Sequence, residues 1–397
     1  MLDLLWLLLP LAAASGWLAA RRSLRRTEVA NGKYTPAYFK GLNYLLNEQP
    51  DKAIDVFIQM AEVDSETVET HLALGNLFRR RGEVERAIRI HQNLIARPTL
   101  NRDQRAQALL ELGQDYMRAG LFDRAESLFR ELDEMKLYRE SALQNLLVIY
   151  QQEKDWEKSL EVADRLEQLT GQSLSLERAH FYCELAEEAS SCQDVAVAQE
   201  ALKKALHCDP RCVRATLLQA RMAISRGEFP DAVVTLKRVE HQDLAYLSET
   251  LPMLRACYQQ LGDGSALAAH LDQMLRHDQG IKVALVLADL VESEQGSKVA
   301  MEFLADHLQK HPDIEGIDRL VKLSAKGVDG AASETLGILG QLTGKLLATR
   351  SGYQCSRCGF RAKTLHWKCP GCKSWSSIKP RQGLADDQSA HQGIGII

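Results

Sequence analysis

The sequence predicts an all-α protein: a stack of helical hairpins, with one apolar segment before it and a small metal-folded domain after it. Three observations carry that prediction. Leu, Ala, Glu, Arg and Gln dominate, all good helix formers, while 397 residues hold only 10 prolines and 6% aromatics. Small and bulky residues recur at a 34-residue interval through most of the chain. Two C-x2-C pairs stand close together near the C-terminal end. With 45% hydrophobic and 26% charged residues the composition is globular, and the length exceeds a single core. A formal net charge of -4 gives no footprint for nucleic acid over the whole chain. Nine cysteines, odd in number and unevenly spaced, argue against a secreted disulfide scaffold and for a reducing compartment.

The apolar segment comes first. Leu4 to Ala20 carries no charge. At 1.5 Å per residue it spans about 26 Å, slightly short of a hydrocarbon core, a gap that local thinning or arginine snorkelling closes. Trp6 and Trp17 stand near its ends, where indole rings favour the interface. Arg21, Arg22, Arg25 and Arg26 follow it, against Asp3 alone on the other side. The expectation is an uncleaved anchor over residues 1–20, a basic juxtamembrane stretch over 21–33, and a cytoplasmic chain thereafter. Ala12-Ala13-Ala14 resembles a cleavage site, but a signal peptide carries its positive charge before the apolar run.

Residues 34–325 form the expected array. Gly41, Tyr44, Ala53 and Phe57 recur as Gly75, Phe78, Ala87 and His91, each shifted by 34. Gly113, Tyr116, Ala125 and Phe129 follow after a four-residue insertion around Arg97-Pro98-Thr99, then Leu147, Tyr150, Ser159 and Ala163. After a longer gap come Ala186, Ala198, Leu202 and Ala205, then Ala220, Ala232, Leu236 and Val239. Weaker units centre on Ala266 and Ala300. Small residues let two helices approach, bulky ones are expected to fill the gap between neighbouring pairs, and glycine turns such as Arg81-Gly82-Glu83 separate helices. No pair buries its apolar face alone, so stacking is obligatory. The aromatic stripe is therefore core. Arg79-Arg80-Arg81 reads as a solvated turn.

The pattern resembles the tetratricopeptide repeat family from Tyr34 to Asp313, most closely in the first three units. That resemblance implies about eight to nine helix pairs in a superhelix whose concave face takes a peptide or partner helix. Chaperone-tail binding in that family needs Lys and Asn where this chain has Tyr38 and Leu42.

Beyond Lys326, residues 326–350 read as a linker and a helix capped by Ser333 and ending near Thr349. Residues 351–380 then change character: Cys355-x2-Cys358, ten residues, Cys369-x2-Cys372, with Trp367 and Trp375 beside them. Each C-x2-C makes a tight turn whose amides point at sulfur, and two turns complete a tetrahedral S4 site. Gly359 and Gly371 are expected to supply the turn conformations. So short a piece builds no core, and the ion supplies its folding energy, on the order of 10–16 kcal/mol for structural zinc. The segment resembles a rubredoxin-type knuckle pair, which implies iron, and a zinc ribbon, which implies zinc; the ligands are assigned and the ion is left open. Residues 381–397 read as a disordered tail.

An anchor, a repeat array and a terminal rubredoxin-like domain in that order resemble the lipopolysaccharide assembly protein B family over essentially the whole chain. The resemblance implies an inner-membrane regulator of lipopolysaccharide output. It acts there as an adaptor that promotes proteolysis of the lipid A deacetylase by a membrane AAA+ protease and communicates with a lipopolysaccharide sensor. Self-association into a homo-oligomer stays open. No Walker loop, nucleotide-binding GxGxxG, nucleophile elbow or catalytic carboxylate pair is present, so no enzyme is expected. Cys183, Cys192, Cys208, Cys212 and Cys257 read as buried structural thiols, and His307 with His311 lacks a third ligand. Two other readings compete: electron transfer through the four-cysteine site, and a nucleic-acid ribbon using Arg357, Arg361, Lys363, Trp367, Lys368 and Lys373, against which membrane tethering weighs.

Overall fold

The computed structural model describes residues 36–47, 49–63, 68–276, 280–326 and 331–381. The expected anchor, the basic stretch after it and the tail beyond Arg381 lie outside the described residues. Among those described, no helix is long and apolar enough to cross a membrane. The chain divides at Thr170 into two compact units.

Among the described residues the first unit holds four helical hairpins: α1 (Pro36–Leu46) with α2 (Pro50–Val63), α3 (Val68–Arg81) with α4 (Val84–Ile95), α5 (Arg102–Ala119) with α6 (Phe122–Met135), and α7 (Arg139–Glu153) with α8 (Trp156–Thr170). The recurring residues do the joining. A Cβ built on Gly41 would stand 2.6 Å from the ring of Phe57, and one on Gly113 would stand 2.6 Å from Phe129. Gly75 meets the His91 ring in the same way. The bulky residue of each of these second helices therefore fills the space over the glycine of its own hairpin, whereas Tyr116 and Tyr150 of the first helices reach Gln92 and Glu126 of the preceding pair, as the spacing suggested. Ala53, Ala87 and Ala125 are fully buried at the small positions of the second helices. Gly82 (φ 88°) and Gly120 (φ 74°) adopt the left-handed turn that L side chains resist. Asn101 starts α5 with a reciprocal capping box to Gln104.

His91 is the polar exception in that series. Its Nδ1 lies 2.5 Å from Asp115 Oδ2, both side chains fully buried, and Asp115 Oδ1 accepts from Arg79 at 2.8 Å. Arg79 also reaches Glu111 at 2.6 Å. Only Arg80 and Arg81 fit the solvated turn expected of this triplet; Arg79 is part of an inter-hairpin ion network.

The second unit continues with α9 (Ser175–Ser191) and α10 (Val195–Cys208), then α11 (Val213–Ser225) and α12 (Phe229–Lys237). A short turn, α13 (Val239–Gln242), and a 3-10 turn (Leu244–Tyr246) lead into α14 (Leu247–Leu261), paired with α15 (Gly264–Arg276). Then come α16 (Ile281–Gln295) with α17 (Ser297–Lys310), and α18 (Ile314–Ala325) with α19 (Ala331–Thr349). α19 begins two residues before Ser333, so Ser333 is inside the helix and does not cap it. It packs along α18 as a further hairpin, with Thr343 Oγ1 donating to Asp318 at 2.6 Å. Three strands close the unit: β1 (Tyr353–Cys355), β2 (Arg361–Ala362) and β3 (Ile378–Pro380), antiparallel in the order β2-β1-β3.

Candidate metal centre

The four sulfurs of Cys355, Cys358, Cys369 and Cys372 lie within 4.8 Å of one another. Two of the separations are 3.7 Å (Cys355 to Cys372) and 3.6 Å (Cys358 to Cys369). A disulfide needs about 2.05 Å, so these are free thiols. A tetrahedral site with metal–sulfur bonds of about 2.3 Å has edges of about 3.8 Å, and the cluster fits one. Among the described residues it is the only group of three or more such donors.

Two matching turns build the site. Gly359 donates its amide to the Cys355 carbonyl at 3.0 Å, and Lys373 donates to the Cys369 carbonyl at 2.9 Å. Cys355 N–H reaches Phe360 at 2.8 Å and Cys369 N–H reaches Ser374 at 2.9 Å. The first turn closes on Gly359 (φ 74°), as expected, but the second closes on Lys373 (φ 60°), and Gly371 is not left-handed. A Cβ on Gly371 would be in ordinary contact with Cys358 Sγ, at 3.4 Å.

The surroundings favour thiolate at Cys355 and Cys372 and oppose it at Cys369. At Cys355 burial works upward, but the Ser377 hydroxyl and the amides of Cys358 and Arg357 outweigh it and hold the thiol down at about 6. Ser374, through its hydroxyl and amide, lowers Cys372. At Cys369 burial prevails and pushes the thiol up to about 11, against the amides of Cys372 and Gly371. A dication at the centre would repay that cost, since metal binding releases the thiol protons. Burial of Cys355 and Cys369 with exposure of Cys358 leaves one edge open to solvent.

The ribbon is held on first helices of hairpins within its own unit. Trp375 stacks on His180 of α9 with centroids 4.7 Å apart and planes 16° apart, and meets Phe181 edge-on at 6.0 Å. His180 Nε2 lies 2.7 Å from Ser376 Oγ. Burial, and then the Arg214 guanidinium, hold the imidazole down at about 3, so it sits neutral in this stack. Arg214 is itself buried, paired to Glu184 at 2.9 Å and Glu187 at 2.8 Å. Trp367 packs 5.2 Å from the Tyr246 ring. Tyr246, the largest fully buried side chain, donates to the carbonyls of Ile378 at 2.9 Å and Ser376 at 3.2 Å. Tyr353 donates to Glu249 of α14 at 2.9 Å, and Lys379 pairs with Asp243.

His180, Asp243, Tyr246 and Glu249 carry no mark in the repeat pattern. The signal that points to such a seat is in the ribbon: Trp367 and Trp375 fall in a segment too small to bury them. Trp367 and Lys368, both among the side chains considered for nucleic acid, are turned to other tasks, Trp367 on Tyr246 and Lys368 over the Trp375 ring at 5.3 Å. Of the five repeat cysteines, Cys183, Cys212 and Cys257 are buried as expected, but Cys192 is exposed and Cys208 half-buried. Cys183 and Cys212 face each other at 3.9 Å. The rings of His307 and His311 lie 5.2 Å apart and belong to no cluster of three metal donors.

A model of the rubredoxin metal binding domain matches residues 353–380, and tetratricopeptide repeat models match 70–106 and 183–243. Lipopolysaccharide assembly protein B of Escherichia coli is 43% identical over 387 residues, covering 97% of this chain and 99% of that protein. Its counterpart from Haemophilus influenzae is 38% identical over 395 residues, covering 96% and 98%. Among solved structures, Naa15/Naa10 bound to HypK-THB aligns with 78% of this chain and 46% of that one, at 13% identity and a TM-score of 0.42. Identity of that order with the two bacterial proteins, sustained from one end of the chain to the other, places it in the lipopolysaccharide assembly protein B family.

Proposed function

We propose that this chain is a non-catalytic adaptor in lipopolysaccharide assembly, tethered to the inner membrane by residues 1–20 with its repeats on the cytoplasmic side. The observation that carries this reading is the near-full-length similarity to lipopolysaccharide assembly protein B. Hairpin repeats support it, because they build partner surfaces and leave reaction chemistry to others. Tethering raises the local concentration of membrane partners. The partners proposed are a membrane AAA+ protease, the lipid A deacetylase it degrades, and a lipopolysaccharide sensor.

The ribbon supports a division of labour. In the second unit it covers first helices, touching α9, α14 and the 3-10 turn before α14. The first helices of the other unit, α1, α3, α5 and α7, are therefore the proposed grip, with Gln144 and Val148 exposed one turn apart on α7. A photo-crosslinker replacing Val148 in the full chain in cells should yield adducts with the protease or the deacetylase. Adducts confined to second helices, tested from Val234 on α12, would contradict this assignment.

The rubredoxin match keeps an electron-transfer reading in view. Metal analysis with visible absorption decides it. A colourless zinc site removes electron transfer; a coloured iron site whose reduction is needed for lipopolysaccharide control replaces the adaptor reading.

A further inference from the structure

Between Thr335 and Arg381 there is no aspartate or glutamate, yet nine lysines and arginines, in a chain with 53 acidic residues among 397. At the average density that stretch would hold about six acids. The structure turns much of this charge outward: Lys345 on α19 and Arg357, Arg361, Lys363 and Lys373 on the ribbon are exposed. Phe360 stands exposed among them.

An apolar face adjoins it. On α19, Ile338, Leu342 and Leu346 are each more than half exposed, and Leu339 nearly so. Their spacing of one and four residues puts them on one side of the helix. The other side is engaged: Thr343 bonds Asp318, and Gly340 lies against Val321. A terminal hairpin that ends an array normally shows solvent a polar face. This one shows four large aliphatic side chains.

The two surfaces meet. Lys363 of the ribbon donates to the Ala348 carbonyl in the last turn of α19 at 3.4 Å. Leu347 and Arg350 share a cavity of about 580 Å³ with Ser351, Gly352 and Arg381, and Asp289 of α16 with Glu315 and Asp318 of α18 line its other side. An aliphatic stripe bordered on the ribbon side by exposed cations, with Glu334 at the far end of α19, matches the boundary of an anionic bilayer, where acyl chains lie beneath phosphates. We propose that α19 and the basic edge of the ribbon form a second membrane contact, selective for anionic phospholipid. It requires neither the N-terminal anchor nor the partner assignments above. Charge complementarity selects this occupant, since an uncharged apolar partner would have no use for the bordering cations.

The test uses the full chain in nanodiscs, with Leu342→p-benzoylphenylalanine as the probe and Val234→p-benzoylphenylalanine as an exposed control. In phosphatidylglycerol discs, lipid adducts from position 342 should exceed those in phosphatidylcholine discs and those from position 234 by at least about fivefold. Combining the probe with Arg361→Glu and Lys363→Glu should remove that excess while metal content stays unchanged. Equal lipid adducts in both kinds of disc would overturn the selectivity. Adducts to a second copy of the chain, to residues 382–397 or to another protein, in place of lipid, would overturn the membrane contact itself.

Discussion

At the scale of single residues, the seat of the ribbon turns on Tyr246 and His180. Tyr246 is wholly buried and its one hydroxyl serves two ribbon carbonyls. Tyr246→Phe keeps the ring against Trp367 but leaves those carbonyls with less satisfaction. The expected cost is about 1–3 kcal/mol, read from urea unfolding of the second unit. His180 adds a pH dependence whose sign is fixed by burial and Arg214. Its folded value, about 3, lies below the ordinary 6.5, so the unfolded chain takes up a proton that the folded chain refuses. The neutral stack therefore contributes fully above pH 6.5, and its contribution is lost as pH falls from there toward 3. His180→Gln, which retains a neutral partner for Ser376, should flatten the difference in unfolding midpoint between pH 7 and pH 5. An undiminished difference would assign that pH limb to other groups.

At the scale of elements, hairpin closure depends on glycines that have no side chain to spare. Gly113→Ala would push a methyl to 2.6 Å from the Phe129 ring. Overpacking of this kind costs about 1–3 kcal/mol, and thermal unfolding of the first unit should register it. Phe129→Leu in the same chain should restore part of the loss, because the smaller side chain yields space. The 34-residue spacing made these pairs legible, since glycine and aromatic recur together. It could not show which helix the aromatic faces, because period alone does not distinguish contact within a hairpin from contact between hairpins. His91 shows the same limit. The sequence placed it in the aromatic series, but only three-dimensional proximity of Asp115 and Arg79, from other helices, reveals why a polar ring stands there.

At the scale of the whole molecule, local chemistry was readable and long-range partnership was not. The four cysteines declare their site through spacing alone, because a C-x2-C turn is a local structure. The second turn departs from its expected glycine, since Lys373 tolerates the left-handed conformation that Gly371 was assigned. Where the ribbon rests was hidden, because His180 and Ser376 are separated by 196 positions and no period links them. The family resemblance carried the functional reading further than residue chemistry did. Tryptophans in a fragment too small to cover them were the one physical hint that a surface elsewhere receives it.

The central claim is that a metal ion folds the ribbon and that the folded ribbon is held on α9 and α14. Hydrogen exchange on the full chain, before and after metal removal by a chelator under reducing conditions, tests it most directly. The account predicts that residues 351–381 lose protection on metal removal, that the 3-10 turn at 244–246 and the adjoining ends of α9 and α14 follow, and that α3 to α6 stay unchanged. Full protection of the ribbon without metal, or its collapse with no response at 244–246, would contradict it.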